Sequence, residues 1–587
     1  MVATATLYAK RYGLNELSIG LTYISNGVGS VCGSVLAGRL SKSPSARLGA
    51  PATLDLMDSQ GKTMTRRAVV SSFIFKFPPN RGPQVALFRR SDQVRTYPNR
   101  LAPVSGSIEK DDPSPLDAAW REIREETTLT PETLTLLRQG KDYRFADDKI
   151  GREWTIHPFA FRLKSHEDES RIQIDWEHQG FQWFEPHEVR DVDEFGGVPR
   201  LAESLRRIWF EIELGEGRAR VLGEGLLALQ QDHGSGARVL AARALDVFLA
   251  LVSDRSGFDK DGSVRKWWRN IRLAAWHLWK NGRECMGAAI LNNIVRSLAV
   301  IEKEVQQVKD DRTPPDEFLE TVTQKVRDFA VARESSVDGI WRSFEAFLRR
   351  QQQQQQQQYQ GSGRPVRILT LSSSSTILEC LQRAVAGFDS DFDIRVLESR
   401  PLFEGVSMAS ALVNRLREAP EKKNKVEVSI YTDAGAAVAS RDVDLVLVGA
   451  DAIDQYGSTC NKTGSLPAVL SAKHCSPQSK VLVLADSEKI LPYEMPEWEV
   501  NDVDELATSW KQSPGVKGAV STLLGDAQGM TADEKGVKVC VMNVYFEWVP
   551  STLIDGYLFE DGQKSAKDIA DLADKIRREA DAFFSDV

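Results

Sequence analysis

The stretch REIREETTL, Arg121 to Leu129, places three glutamates and two arginines within about two turns of an α-helix. On such a helix Leu116, Ala119, Trp120 and Ile123 share one face, and Glu122, Glu125 and Glu126 fall at i, i+3, i+4 on the adjacent face. Just upstream, Ser114 suits the N-cap, Pro115 the first helical position, and Asp117 completes a capping-box-like pattern. Three carboxylates so placed repel one another by a few tenths of a kcal/mol per pair, roughly. Arg121 and Arg124 can offset that as local ion pairs on an inert, solvated face. Alternatively, hard oxygen ligands on one face suit Mg2+ or Mn2+ held beside a phosphate substrate. Spacing alone favours the solvated face, and the surrounding sequence shifts the balance. RAVVSSFIFKF (Arg67 to Phe77) and QVALFR (Gln84 to Arg89) read as strands separated by the turn-forming PPNRG. The loop YPNRLAPVSGSIEKDDPS then leads into the helix.

This strand–loop–helix order resembles the box of the Nudix hydrolases, a glycine loop followed by Arg-Glu-aliphatic-x-Glu-Glu on a helix. The matching residues are Gly106, Asp112 and Arg121-Glu122-Ile123-Arg124-Glu125-Glu126, with GFQWFEPHEV (Gly180 to Val189) similar to the family's closing strand and turn. The resemblance spans roughly residues 65 to 215. It implies an α/β/α sandwich, metal binding by Glu122, Glu125 and Glu126, and orientation of those glutamates by Arg121. The chain departs from the pattern in the loop: the spacing to Arg121 is one residue longer, Asp112 replaces a glutamate, Ser105 precedes the single Gly106, and Thr128 replaces a glycine. Asp147, Asp148 and Glu153 are candidates for a further carboxylate or base.

The chain has 587 residues, 42% of them hydrophobic and 27% charged, which suits about three or four globular units. A net charge of −8 disfavours a nucleic-acid-coating or polybasic membrane role. Cys32, Cys285, Cys380, Cys460, Cys475 and Cys540 are scattered without a CxxC pair, the pattern of reduced thiols in a cytoplasmic protein. Leu17 to Gly38 carries no charge and is long enough to cross a bilayer. Together with Arg39, Lys42 and Arg47 it resembles one helix of a major-facilitator transporter, covering residues 1–48. An anchor, a targeting segment and a stray exon compete for it. The stray or vestigial reading is preferred, residues 1–62 are expected outside the fold, and membrane contact is expected only if 17–38 are real.

From about Glu224 the pattern turns helical. DHGSGARVLAARALDVFLALV (Asp232 to Val252) has apolar residues at helical spacing, and Leu291, Ile294, Leu298, Ile301, Val305 and Val308 mark a long amphipathic helix. Trp267, Trp268, Trp276 and Trp279 are expected to fill core. Gln351 to Gln358 with the following YQGSGRP read as a polar linker. From Val366, VRILTL, DIRVLE, EVSIYT, VDLVLVGA and KVLVLAD alternate with helical stretches, which predicts a parallel α/β sheet of the Rossmann-like class. Ligands gather at the carboxyl ends of such strands. Those ends carry Ser372, Glu398, Thr432-Asp433, Gly449-Ala450-Asp451 and Asp486.

This half resembles the initiation factor 2B alpha/beta/delta family, which includes methylthioribose-1-phosphate and ribose-1,5-bisphosphate isomerases. The motifs are SGA (Ser235 to Ala237), ILTLSSSS (Ile368 to Ser375), ESRPLFEG (Glu398 to Gly405), TDAGAA, VGADAI, CNKTGS (Cys460 to Ser465) and NVYFEWVPSTLID. The resemblance covers about residues 222 to 565. It implies phosphate binding by Asn461 and Lys462, a ribose-side Arg400, a catalytic-type Asp451, and dimers or initiation-factor-like partner subunits. Ser372 stands where the isomerases keep a cysteine and Ser235 where they keep an arginine. A serine hydroxyl is a poor substitute for a tunable thiol.

The expected organisation is therefore a multidomain α/β protein. Residues 63–216 form a Nudix domain, 222–350 a helical domain, 351–364 a linker and 365–587 a Rossmann-like domain. The leading expectation is a Mg2+- or Mn2+-dependent hydrolase of nucleoside diphosphate-linked compounds, fused to an oligomerising domain that binds a sugar phosphate or nucleotide without catalysis. The alternatives are a translation-factor-like subunit with an inert Nudix scaffold and an aldose–ketose isomerase. No direct nucleic-acid partner is expected.

Overall fold

The computed structural model describes residues 56–57, 63–258, 263–308, 316–333, 336–358, 364–418, 424–493, 501–528, 537 and 539–587. The charge-free segment 17–38 lies outside them. Strands β1 (Leu56–Met57), β2 (Thr63–Lys76), β3 (Gln84–Arg90), β4 (Leu101–Ala102), β5 (Leu134–Gln139), β6 (Tyr143–Asp147), β7 (Arg152–Leu163) and β8 (His178–Phe184) form one mixed sheet. Its main path runs β4-β3-β2-β7-β5, with β2 and β7 parallel at its centre and β8 pairing with β3.

Strand β2 alternates so that Val70 and Ile74 face one layer and Phe73 and Phe75 the other, and both sets are fully buried. The helix Pro115–Thr127 covers the first face through Ala118, Ala119 and Ile123. The helix Leu201–Ile208 covers the second through Leu201, Leu205 and Ile208. The result is the expected α/β/α sandwich.

The helices Glu216–Gln231, Ala237–Ser253, Val264–Lys280, Gly287–Val305 and Asp316–Arg333 pack into one core. Trp267, Trp276 and Trp279 are buried there and Trp268 packs against it, as their helical spacing predicts. Leu291, Ile294, Leu298 and Ile301 have no solvent exposure. That stripe is buried in a core shared with C-terminal residues such as Ile453, Ile490 and Phe583, while Val305 at its end is half-buried. The segment Glu284–Val305 is also apolar enough to span a membrane by composition, and most of it is buried in this core.

The helix Ser336–Gln358 corrects the expected boundary at residue 351. Its stripe of Ile340, Phe344, Phe347 and Leu348 packs onto the C-terminal sheet, and the helix runs on through Gln358. Glutamine is a good helix former, so a preformed helix extends readily through such a tract.

The C-terminal strands are β9 (Val366–Leu371), β10 (Phe392–Leu397), β11 (Val426–Tyr431), β12 (Leu445–Val448), β13 (Ala452–Asp454), β14 (Thr459–Lys462), β15 (Lys480–Leu484), β16 (Ile490–Leu491), β17 (Phe546–Val549), β18 (Gly556–Phe559) and β19 (Gly562–Lys564). One sheet has the order β11-β10-β9-β12-β15-β18-β19, parallel from β11 through β18. This is a doubly wound arrangement whose direction reverses between β9 and β12, the position at which such sheets bind ligands. A smaller sheet, β16-β13-β14-β17, was not anticipated from the sequence. Its strands are two to four residues long, too short for a periodic signal.

Candidate functional site

The helix Pro115–Thr127 begins as its sequence requires. Ser114 caps it by accepting from the Asp117 backbone N–H, and Pro115 occupies the first turn. It ends at Thr128, a β-branched residue at φ +61°, where the family pattern has glycine. The Thr128 hydroxyl offsets some of that strain by donating to the Thr127 and Arg171 carbonyls.

Arg121 organises the acidic face. Its Nε and Nη2 donate to the two oxygens of Asp112 at 3.1 and 2.9 Å, and its Nη1 donates to Glu122 at 2.7 Å and Glu125 at 3.2 Å. Nη2 also reaches the Ser107 carbonyl. The fork absorbs the extra loop residue: Asp112 accepts from the Glu109 backbone N–H and still meets Arg121. That hydrogen bond from Arg121 holds Asp112 below the ordinary carboxylate range. Gly106 lies directly against Glu122, and a Cβ there would fall about 2 Å from the carboxylate. The glycine is therefore required by Glu122.

The three glutamates have different environments. The Glu125 side chain is half exposed, Glu122 is mostly covered and Glu126 is 2% exposed. Burial raises Glu122 above its ordinary value, opposed by Arg121. Burial, then the charges of Glu122 and Glu177, pushes Glu126 well above the ordinary range. Glu126 Oε2 lies 2.5 Å from Nε2 of the buried His178, while Glu126 Oε1 and His178 Nδ1 have no hydrogen-bond partner. Burial, aided by Arg90, lowers His178 to about 4. The ring is thus neutral at neutral pH, and its Nε2 shares one hydrogen bond with Glu126.

Of the other candidate carboxylates, Asp147 accepts from the Tyr97 hydroxyl at 2.7 Å, Asp148 is exposed in the following turn, and Glu153 pairs with Arg66 at 2.6 Å. Asp175, Glu177 and His178, at the start of β8, stand beside the helix glutamates. Glu177 raises Glu122 and Glu126, and Asp175 feels Glu125. They lie just before GFQWF, so extending that stretch upstream to DWEH would have found them.

A divalent cation fits this donor set. The carboxylates are hard oxygen ligands, they crowd one another, and Glu126 keeps an unpartnered buried oxygen. Arg121 bonds Glu122 and Glu125, and His178 bonds Glu126. Among the described residues no group of three or more His, Cys, Asp or Glu is gathered closely enough to hold a metal ion.

In the C-terminal crevice, Ser372 follows β9 at φ +63° and donates its backbone N–H to the Ser399 hydroxyl at 2.7 Å. Asp433 accepts from the Ser399 and Arg400 backbone N–H groups, so this acidic strand end is a structural clamp. Gly449, after β12, packs close to Asn461 and Ser374. Asn461 donates to the Ser465 hydroxyl at 2.8 Å. Lys462 is buried, pairs with Glu404 at 2.6 Å, and sits 4.0 Å from the centre of the Tyr545 ring. Burial raises Asp451, while Lys489, Lys462 and Arg283 pull it back. Ser372, Asp451, Asn461 and Lys462 thus gather around the switch point. Arg400 is exposed at the rim, its guanidinium over Phe403.

Lys489 and Arg283 are additions that the sequence motifs did not single out; Arg283 comes from the helical domain. Ser235 lends its backbone N–H to Asp232 at 2.9 Å, ahead of the helix Ala237–Ser253. Asp486 Oδ1 and Glu404 Oε2 are buried without hydrogen-bond partners and suit ligand hydroxyls.

Fold and sites together define a two-part α/β protein: a Nudix sandwich with an acidic helix, joined to a doubly wound domain with a cation-lined crevice. The chain belongs to the initiation factor 2 subunit family, whose model matches residues 236–565, and the NUDIX domain model matches residues 66–208. Methylthioribose-1-phosphate isomerase of Leptospira interrogans is 30% identical over 174 residues, covering 28% of this chain and 42% of that protein. Ribose 1,5-bisphosphate isomerase of Archaeoglobus fulgidus is 29% identical over 154 residues, covering 26% and 45%. The chain thus spans less than half the length of these curated relatives. The crystal structure of the tetrameric eIF2B-beta2-delta2 complex from C. thermophilum has a similar chain at TM-score 0.42 and 14% identity, covering 62% of this chain and 97% of that one.

Proposed function

We propose that the N-terminal domain hydrolyses a phosphoanhydride in nucleoside diphosphate-linked compounds, with Mg2+ or Mn2+ held by Glu122, Glu125 and Glu126. The carrying observation is Glu126, a buried carboxylate with an unpartnered oxygen among Glu122 and Glu177. Arg121 positions Glu122 and Glu125 through its fork on Asp112. His178, neutral and buried, orients Glu126 and keeps water from its far side. When bound, the cation neutralises phosphate charge and acidifies water. Glu177, whose charge acts on Glu122 and Glu126, would accept a proton from an attacking water.

We further propose that the C-terminal crevice holds a sugar phosphate or nucleotide without isomerising it. Lys462, Asn461, Arg283 and the rim Arg400 suit phosphate, while Asp451 and Asp486 suit hydroxyls. Ser372 lacks the thiol, which supports silence. We also propose, from family membership, that the protein self-associates in the cytoplasm, which light scattering on the full chain tests. The second reading, an inert Nudix scaffold on an initiation-factor-like subunit, draws on one observation: Arg121 and His178 already occupy the glutamates.

The test is a Mg2+-dependent hydrolysis screen of the full chain on nucleoside diphosphate derivatives. Glu125→Gln, which leaves the buried packing intact, is expected to lower turnover by on the order of 100- to 1000-fold. Undiminished turnover in that variant removes the site from the chemistry, and an inactive wild-type chain favours the scaffold.

A further inference from the structure

Trp176 has an environment unlike that of the chain's other described tryptophans. It is 61% exposed, the only tryptophan among the described residues in the exposed class, and no ring in them stacks on it. A single exposed apolar side chain needs no explanation by itself. What separates Trp176 is the turn that carries it. Asp175 N–H donates to the Glu126 carbonyl at 3.3 Å, and Gln173 N–H to the Thr127 carbonyl at 3.1 Å. These bonds tie the segment to the last turn of the glutamate helix.

On the other side, Ser91 N–H donates to the Glu177 carbonyl at 2.7 Å. Within the turn, Glu177 N–H donates to Asp175 Oδ1 at 3.0 Å, and His178 N–H closes onto the Asp175 carbonyl. Ile172 and Ile174 pack on the sandwich core. The turn is therefore pinned at both ends. It presents an indole between Asp175 and Glu177, the two carboxylates that lean on the helix glutamates.

We propose that Trp176 is the stacking platform for the nucleobase of the substrate, which makes the preferred substrates base-bearing diphosphate derivatives rather than base-free diphosphates. This deepens the hydrolase reading and rests on it for the site, but not for the stacking. A rigidly mounted indole stacks on any base without sequence-type readout, worth about 1–3 kcal/mol per base. The adjacent carboxylates repel the diphosphate unless a cation lies between, so base and diphosphate are held by separate groups.

The test uses the full chain with Mg2+. ADP should quench part of the tryptophan emission of the wild type, and that part should be missing in Trp176→Phe; ligand in the C-terminal crevice affects both proteins alike. With ADP-ribose as substrate, Trp176→Ala should raise KM by about 5- to 100-fold with kcat within about twofold. Trp176→Phe should restore most of that loss, since a phenyl ring still stacks. Hydrolysis of 5-phosphoribosyl 1-diphosphate, which has no base, should not change. ADP quenching identical in wild type and Trp176→Phe overturns the inference, as does an unchanged KM in Trp176→Ala. If ADP quenches Trp176 but nothing is hydrolysed, stacking stands and the hydrolase reading falls. If hydrolysis needs Glu125 but ignores Trp176, the reverse holds.

Discussion

At the N-terminal site Glu122 and Glu125 share the fork of Arg121 while Glu126 lies among the charges of Glu122, Glu177 and Asp175, whereas in the C-terminal crevice Asp451 sits among Lys462, Lys489 and Arg283. Burial raises the carboxyl in both places, but the neighbours differ in sign. Around Glu126, Glu122, Glu177 and Asp175 raise it further, opposed by Arg90; around Asp451, Lys489, Lys462 and Arg283 oppose the rise, with Glu404 adding to it. One chain thus carries two phosphate-compatible sites of opposite local charge. The front site needs a cation before it can approach a phosphate. The back site can meet an anion directly. Residue types alone would not separate these roles, since both sites use carboxylates and arginines.

The largest expected effect that sharpens this contrast is at Lys462. Replacing it with methionine keeps an unbranched side chain but removes the ammonium that lies over Tyr545 and pairs with Glu404. Calorimetry with ribose 5-phosphate should show binding weakened by about 10- to 100-fold, the loss of one charge-assisted contact. Hydrolysis at the front site should be untouched. If ribose 5-phosphate binds neither protein, the crevice is an interaction surface and the contrast loses its second half.

A smaller effect is expected at Asp451, and its sign follows from burial. A carboxyl whose folded pKa lies above its ordinary 3.8 is more stable in the fold when protonated. Its contribution is full below about 3.8 and is lost as pH rises through the folded value. Asp451→Asn should therefore melt above the wild type at pH 8, with the gap closing on acidification toward pH 4. A gap that widens on acidification would mean that the surrounding cations, not burial, dominate Asp451.

The smallest effect concerns the end of the glutamate helix. Thr128→Gly removes a β-branched side chain from a left-handed position, worth about 1 kcal/mol, but also loses the hydroxyl contact to Arg171. A net gain below about 1 kcal/mol is expected in denaturant unfolding of the Nudix domain. A clear loss would show that the hydroxyl contact outweighs the strain.

Local rules made the glutamate helix legible: Ser114, Pro115 and the apolar spacing predicted its start, its buried face and the clustering of its carboxylates. The parallel sheet was equally legible, because buried strands such as VRILTL and KVLVL are continuous apolar runs between helical segments. Tertiary partners were not legible. His178 reaches Glu126 across 52 residues, and Arg283 reaches Asp451 from another domain. Nothing in the spacing of either residue announces that contact. The stripe from Leu291 to Val308 taught the opposite lesson: its periodicity was real, but only packing shows whether such a face meets its own core or a partner. The glutamine run likewise followed its helical neighbour rather than its composition.

The central claim, that the front site is a cation site and the back site is not, is tested most directly by titrating Mn2+ into the full chain and following free Mn2+ by electron paramagnetic resonance. The wild type should take up Mn2+. Glu126→Gln, which keeps the shape of the buried side chain, should weaken uptake at least about tenfold, and Asp451→Asn should leave it unchanged. Equal uptake by the wild type and Glu126→Gln, or loss of uptake in Asp451→Asn, would contradict the account.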